Sequence, residues 1–202
     1  MGGVGECLSV DFPSLTSSIH NMPNKTHTTA VVLIPPENVQ PPIQAIRRIH
    51  DRNFERWMPH ITLLYPFAER HDFTEITPAL AKAAQQVTPF SVELTRFDAF
   101  RHRRSCTMFL VPEPADEIAR LHKALLQYLP DYDDTARFAG GFHPHLSVGQ
   151  FQHHSLQTEQ QRLQTEWQSV RCEMKAISLI YRSPETDDRF VVAEQFPFQT
   201  RS

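Results

Sequence analysis

The stretch MPHITLLYPF, residues 58–67, has a counterpart in FHPHLSVGQF, residues 142–151. In each copy a proline precedes a histidine, and the histidine is followed by one apolar residue and then by a hydroxyl residue. Both copies are short and apolar, which is typical of a buried strand. The repeat therefore predicts two similar strands, 85 residues apart in register, each carrying one histidine and one hydroxyl group.

In a strand, residues two positions apart lie on the same face of the sheet. His60 and Thr62 should therefore point together, and His145 and Ser147 should do the same. A single pair of this kind is most simply a half-buried histidine that a neighbouring hydroxyl satisfies. Two pairs in matching contexts favour a shared chemical role.

Strand and helix patterns alternate outward from these two stretches, as expected for an α/β or α+β protein with internal pseudo-symmetry. The turn RHRRS, residues 101–105, separates two strand patterns and predicts a hairpin. Residues 1–26 are rich in Gly, Ser, Thr, Asn and Pro and suggest a flexible N-terminal leader, followed by a single domain over residues 27–202. The other predicted strands are 28–34, 90–100, 106–112, 172–181 and 189–198. Four helices are predicted. The first carries Ile43, Ile46 and Ile49 on one side, two cover 75–87 and 155–168, and another bears the apolar stripe Ile118, Leu121, Leu125 and Leu129.

The composition describes an ordinary globular protein, with 40% hydrophobic and 21% charged residues. The net charge of −3 gives no general basic field for a long nucleic-acid duplex. Three widely spaced cysteines, Cys7, Cys106 and Cys172, argue against a disulfide framework. No apolar run approaches the length of a membrane span. These features favour a cytoplasmic or nuclear protein with no membrane contact and no obligate protein partner.

Two imidazoles and two hydroxyl groups are suited to chemistry at one phosphorus atom. One imidazole can take a proton from the attacking oxygen while the other gives a proton to the departing oxygen, since both titrate near neutrality. Thr62 and Ser147 can donate hydrogen bonds to the non-bridging oxygens, where charge builds up in the transition state. Such a reaction needs no metal and no cofactor.

At these residues the sequence resembles the 2H phosphoesterase superfamily, which includes 2'-5' RNA ligase and cyclic phosphodiesterases. The family signature is two copies of His-x-Thr/Ser followed by an apolar residue, present here as HITL and HLSV. The resemblance implies an α+β fold with two pseudo-symmetric lobes, each an antiparallel sheet flanked by helices, around a central groove. It implies that His60 and His145 are the catalytic acid–base pair and that Thr62 and Ser147 bind the phosphate.

The resemblance also points to a phosphodiesterase that acts on an RNA end or a small nucleotide, through a 2',3'-cyclic phosphate or a 2'-5' linkage. The reaction could run as hydrolysis or as 2'-5' ligation, and either histidine could be the base. A catalytically weak RNA- or nucleotide-binding module is an alternative from another class. A metal hydrolase that uses His143 and His145 is a further alternative, although no third ligand follows at a short spacing.

Other side chains are candidates for contact with the substrate. The aromatic rings near the motifs could stack on a base, although such rings more often belong to a core. The basic turn could meet the phosphates of an RNA tail, or it could simply be a solvated turn. The predicted substrate contacts are Tyr65, Phe151, His143, Tyr181, Arg182 and Arg103.

Overall fold

The computed structural model describes residues 24–138, 140–183, 185 and 187–200. The predicted leader lies outside these residues up to position 23, and Lys25–Thr26, at its expected end, form a short strand instead. The strands are β1 (Lys25–Thr26), β2 (Thr29–Leu33), β3 (Ile61–Leu64), β4 (Phe67–Ala68), β5 (Phe90–Arg101), β6 (Cys106–Glu113), β7 (Leu146–Phe151), β8 (Val170–Met174), β9 (Ala176–Ser183) and β10 (Asp187–Pro197). The helices are α1 (Gln40–His50), α2 (Phe73–Ala84), α3 (Ala115–Tyr128) and α4 (Leu156–Glu166).

Eight of the strands form one antiparallel sheet in the order β10-β9-β2-β3-β7-β6-β5-β8. The first four strands of this order form one lobe and the last four form the other. The lobes meet where β3 lies beside β7, so the two motif strands are neighbours at the centre. At this junction one pair of residues is in register, Ile61 with Leu146. The predicted α+β fold with two pseudo-symmetric lobes is confirmed.

The sheet buries apolar side chains on both faces. Strand β2 has the sequence TAVVL, and all five residues are buried. Val31 and Leu33 belong to the main core, whereas Ala30 and Val32 belong to a smaller cluster with Ile180 and Phe190. We call the face of the main core the core face. We call the opposite face, which carries Val32 and its register partner Thr62, the groove face.

Two predictions about the elements were wrong. The predicted strand 172–181 is in fact two strands, because β8 pairs with β5 in one lobe and β9 pairs with β2 in the other, and the chain changes lobe at Lys175. Ile49 does not lie on the buried side of α1 but is 77% exposed. The buried positions of this helix are Ile43 and Arg47, four residues apart, so an arginine occupies a place that the apolar pattern would give to an aliphatic residue.

Cys106 and Cys172 are buried and form no disulfide, and Cys7 lies outside the described residues. Over residues 24–138, 140–183, 185 and 187–200, no helix combines the length and apolar character that crossing a bilayer requires.

Candidate active site

The two histidines lie at equivalent places on either side of the lobe junction. Each directly precedes its motif strand, since β3 begins at Ile61 and β7 at Leu146. Continuing the antiparallel register by one residue in each direction places His60 opposite Ser147 and Thr62 opposite His145. Each imidazole therefore has its own hydroxyl residue two positions along the chain and the other motif's hydroxyl residue across the junction.

Both motif strands have a β-bulge at the same position. In β3 the register shifts after Thr62, which pairs with Val32, so that Leu64 pairs with Val31. In β7 it shifts after Ser147, which pairs with Phe109, so that Gly149 pairs with Met108. Bulges often re-aim side chains beside active sites. Here the extra residue reverses the alternation of faces beyond each hydroxyl residue, in both lobes alike.

The same backbone contact sets the tautomer of both imidazoles. His60 Nδ1 lies 2.7 Å from the Met58 carbonyl, and His145 Nδ1 lies 2.8 Å from the His143 carbonyl, in each case across one proline. A carbonyl oxygen can only accept a hydrogen bond, so Nδ1 carries the proton and donates it. In the neutral ring Nε2 is then left with a free lone pair. Both histidines are thus oriented as bases through Nε2.

Aromatic rings pack against both imidazoles, but they differ between the lobes. The indole ring of Trp57 stacks on His60 with the centroids 4.6 Å apart, and it also stacks on Phe190 at 3.7 Å. Phe100 contacts His145 edge-to-face at 4.9 Å, and Phe109 lies 5.3 Å from it. These rings exclude water from one side of each imidazole.

The low polarity of this environment affects both titrations. The pKa of His60 is lowered to about 4, chiefly by burial, which disfavours the charged ring. The bond to the Met58 carbonyl and the charge of Asp51 oppose this shift, and Arg47 and His145 add to it. Burial also lowers the pKa of His145, against the effect of its bond to the His143 carbonyl. Both rings are therefore neutral at pH 7 before an anion binds.

Five of the predicted site residues lie on the groove face or beside the imidazoles. Thr62 and Ser147 are half-buried there. The ring of Tyr65 packs edge-to-face on Trp57 at 5.5 Å. His143 is exposed, with its ring 5.5 Å from that of Phe100. Arg182 forms an ion pair with Asp188, and its Nε is buried with no hydrogen-bond partner among the described residues.

Three of the predicted contacts are not brought to the imidazoles. Phe151 pairs with Cys106 on the core face, where it stacks on His50 at 4.7 Å. Tyr181 pairs with Thr29 and shares the core face with Leu179, beneath the guanidinium group of Arg70. Arg103 is exposed at the tip of the β5–β6 hairpin.

Sequence reasoning missed Trp57 and Phe109, whose rings pack against the imidazoles. Trp57 stands three residues before His60, and a search for rings upstream of the motif would have found it. His102 has the same place in its lobe as Arg182: the His102 amide donates to the Ser105 carbonyl at 2.9 Å, and the Arg182 amide donates to the Thr28 carbonyl at 2.8 Å. This equivalence requires the register of both lobes, which the sequence does not provide.

No three His, Cys, Asp or Glu side chains converge as a metal-binding group within the described parts of the chain.

The family model described as the 2'-5' RNA ligase superfamily matches residues 35–186, which include both motifs and both bulged strands. The chain belongs to this superfamily.

Curated relatives share moderate sequence identity with the chain. A protein of Geobacillus kaustophilus with a provisional phosphoesterase name is 31% identical over 124 residues, which is 59% of this chain and 66% of the relative. A similarly named protein of Oceanobacillus iheyensis is 25% identical over 154 residues, covering 75% of this chain and 88% of that protein. The match thus spans just under two thirds of the length of the Geobacillus relative.

Solved structures share the fold at low identity. TT0787 of Thermus thermophilus superposes with a TM-score of 0.57 at 17% identity, covering 87% of this chain and all of that one. Escherichia coli LigT, crystallised in complex with 3'-AMP, superposes with a TM-score of 0.57 at 15% identity, covering 88% of this chain and all of LigT. Likeness at this level of identity establishes the fold alone.

Proposed function

We propose that the protein is a metal-independent phosphoesterase that acts on RNA ends or small nucleotides by two-histidine acid–base catalysis. The observation that carries this proposal is the matched pair of imidazoles, each with Nδ1 held by a backbone carbonyl and Nε2 left as a base. The strand register also sets each histidine opposite the hydroxyl residue of the other motif. Membership of the superfamily supports phosphoester chemistry in general.

The substrate class is a 2',3'-cyclic phosphate or a 2'-5' phosphodiester. The complex of LigT with 3'-AMP supports a nucleotide in the groove of this chain as well. One histidine takes a proton from water as the water oxygen bonds to phosphorus. The bond from phosphorus to the leaving ribose oxygen breaks, and that oxygen receives a proton from the other histidine. Thr62 and Ser147 donate hydrogen bonds to the non-bridging oxygens.

The anionic phosphate itself prepares one histidine to act as the acid. Both imidazoles are neutral at pH 7 in the free protein, yet an acid must carry a proton. A negative charge within a few ångströms favours the charged form of an imidazole and raises its pKa. Binding of the phosphodiester therefore draws one proton onto the pair. In the active form, one of the two Nε2 atoms carries this proton. The protonated ring can then act as the acid, and the neutral ring can act as the base.

Three groove-face side chains are proposed to contact the rest of the nucleotide. Tyr65 offers a ring next to the His60 stack, and His143 offers an exposed ring beside His145. Arg182 offers a buried Nε–H that no other described residue accepts a hydrogen bond from. A cytoplasmic or nuclear setting stays a prediction.

The test is turnover of all four 2',3'-cyclic nucleotides and of 2'-5'-linked oligoadenylate, with EDTA present throughout. His60→Ala and His145→Ala should each lower kcat by roughly 10²–10⁴-fold, the usual contribution of one acid–base group. The exposed His154→Ala is the matched control and should keep full activity. Full turnover in both motif variants, or loss of wild-type activity with EDTA, would refute the proposal.

A further inference from the structure

The segment between α1 and the first motif passes from the core face to the groove face beside β7. At its start, His50 lies against Gly149 and stacks on Phe151, both on the core face. At its end, Trp57 stacks on Phe190 and His60 on the groove side. The backbone that orients His60 is therefore the last part of a loop that runs along the other lobe's motif strand.

Arg47, which forms a buried ion pair at the start of this loop, also contacts the end of the loop. Arg47 is 2% exposed, and it donates from Nε and Nη2 to Asp51 Oδ2 at 3.0 and 2.8 Å. The same Nη2 also donates to the carbonyl of Trp57 at 2.8 Å. Arg47 thus connects α1 to the residue just before Met58, whose carbonyl fixes the His60 ring.

Gln150 links this ion pair to the second motif. It lies three residues after Ser147, and the bulge in β7 returns it to the groove side. Its Nε2 donates to Asp51 Oδ1 at 3.3 Å, and its Oε1 accepts from the Arg52 amide at 3.0 Å. A chain of direct contacts therefore runs from the Trp57 carbonyl through Arg47, Asp51 and Gln150 into the strand of His145.

We propose that Arg47, Asp51 and Gln150 are positioning residues, which hold the loop before His60 against β7 and thereby fix the distance between the two imidazoles. The need for such a device follows from the sheet, because β3 and β7 share one register pair at the lobe junction. The shared apolar core and the packing of α1 on β7 also hold the lobes together, and the polar chain adds directional contacts at the loop that carries His60. The inference rests on the acid–base roles proposed above for His60 and His145.

The ion pair also acts on the His60 imidazole through its charges. The charged or titratable groups whose fields reach this ring are Arg47 on α1, Asp51 after it and His145 of the other motif. Arg47 and His145 disfavour the protonated ring, and Asp51 favours it. Removing Arg47 or Asp51 singly should therefore shift the titration of His60 in opposite directions. A purely structural defect would not give shifts of opposite sign.

The first experiment follows the His60 ring by NMR during a pH titration of the full chain. Arg47→Met should raise the midpoint above that of the wild type, and Asp51→Asn should lower it. Shifts in the same direction in both variants, or no shift in either, would overturn the electrostatic part of the inference. This readout needs no substrate, so it stands even if the proposed reaction is wrong.

The second experiment measures kcat and KM of Gln150→Leu, a variant that leaves the buried charges in place. We expect kcat to fall about 10- to 100-fold with KM nearly unchanged, because a small misplacement of a reacting group costs about this much. The matched control is Gln152→Leu, an exposed glutamine just past the end of β7, and it should behave as wild type.

The two experiments decide the inference in every case. If Arg47→Met and Asp51→Asn do not fold, Gln150→Leu decides alone, and a kcat equal to that of Gln152→Leu overturns the inference. If His60→Ala and His145→Ala keep full turnover, the proposed function is wrong. The positioning role is then wrong as well, because there is no catalytic pair to position. If those variants are inactive and Gln150→Leu is fully active, the inference alone fails.

Discussion

The neutral state of His60 in the folded protein should make its stability depend on pH. The pKa of this ring is near 6.5 when the chain is unfolded and about 4 when it is folded. Between these values the unfolded chain binds more protons than the folded one. The free energy of unfolding therefore falls as the pH falls from about 6.5 to about 4, and no further loss from this group follows below that point.

The size of the effect follows from the two pKa values. Between about pH 7.5 and about pH 5, His60 alone should account for a loss of about 2 kcal/mol. This is an upper figure, because the ring is half-buried and water reaches part of it. His50, His122 and His145 have pKa values that are also lowered by burial, so the whole protein should lose more. A variant that removes only His60 isolates its share.

The assay is urea unfolding of the wild type and of His60→Asn at about pH 7.5 and about pH 5. The difference in unfolding free energy between the two proteins should change in favour of the variant at the lower pH, by at most about 2 kcal/mol. The exposed His154→Asn controls for loss of an imidazole elsewhere. If the wild type and His60→Asn lose stability equally on acidification, the ring is not held neutral in the folded state, and the argument for a buried base is refuted.

Two other predictions concern the anion and the sheet. Binding of inorganic phosphate or 3'-AMP near pH 7 should be coupled to a net uptake of protons, because the anion raises the pKa of the imidazole pair. Titration calorimetry in two buffers of different ionisation enthalpy measures this uptake, and equal heats in both buffers would contradict it. Gly149→Ala should destabilise the protein by about 1–3 kcal/mol in urea unfolding, because the added Cβ would lie 2.5 Å from His50 Cβ and 2.8 Å from the backbone carbonyl carbon of His50. Gly140→Ala, where an added Cβ would meet no atom of the described residues within 4 Å, is its control, and equal stability of the two variants would disprove the close packing of α1 on β7.

The order of helices and strands could be predicted because each element carries its own local pattern. The stripe from Ile118 to Leu129 lies largely in α3, and the basic turn 101–105 joins β5 and β6 as expected. Residues 172–181 could not be divided correctly, since no glycine or proline marks the change of lobe at Lys175. The partners of β8 and β9 cause that division, and pairing between distant strands leaves no local signal.

The candidate site was predicted up to the hydroxyl residues and not beyond them. Simple alternation puts Phe151 on the same face as Ser147 and puts Tyr65 on the opposite face from Thr62. The bulge after each hydroxyl residue reverses both assignments, so that Phe151 lies in the core and Tyr65 lies beside Trp57. A bulge depends on the partner strand, and for this reason the faces beyond Thr62 and Ser147 could not be obtained from one sequence.

The crossed arrangement at the lobe junction has a consequence for how such a protein could arise. Because His60 stands opposite Ser147 and His145 opposite Thr62, neither half of the polypeptide contains the complete set of groups proposed to react. Two identical half-length chains, joined edge to edge about a two-fold axis, would already assemble both sets. Fusion of such a symmetric dimer into one gene would then free each half to diverge, as the indole on one side and the phenyl rings on the other now illustrate.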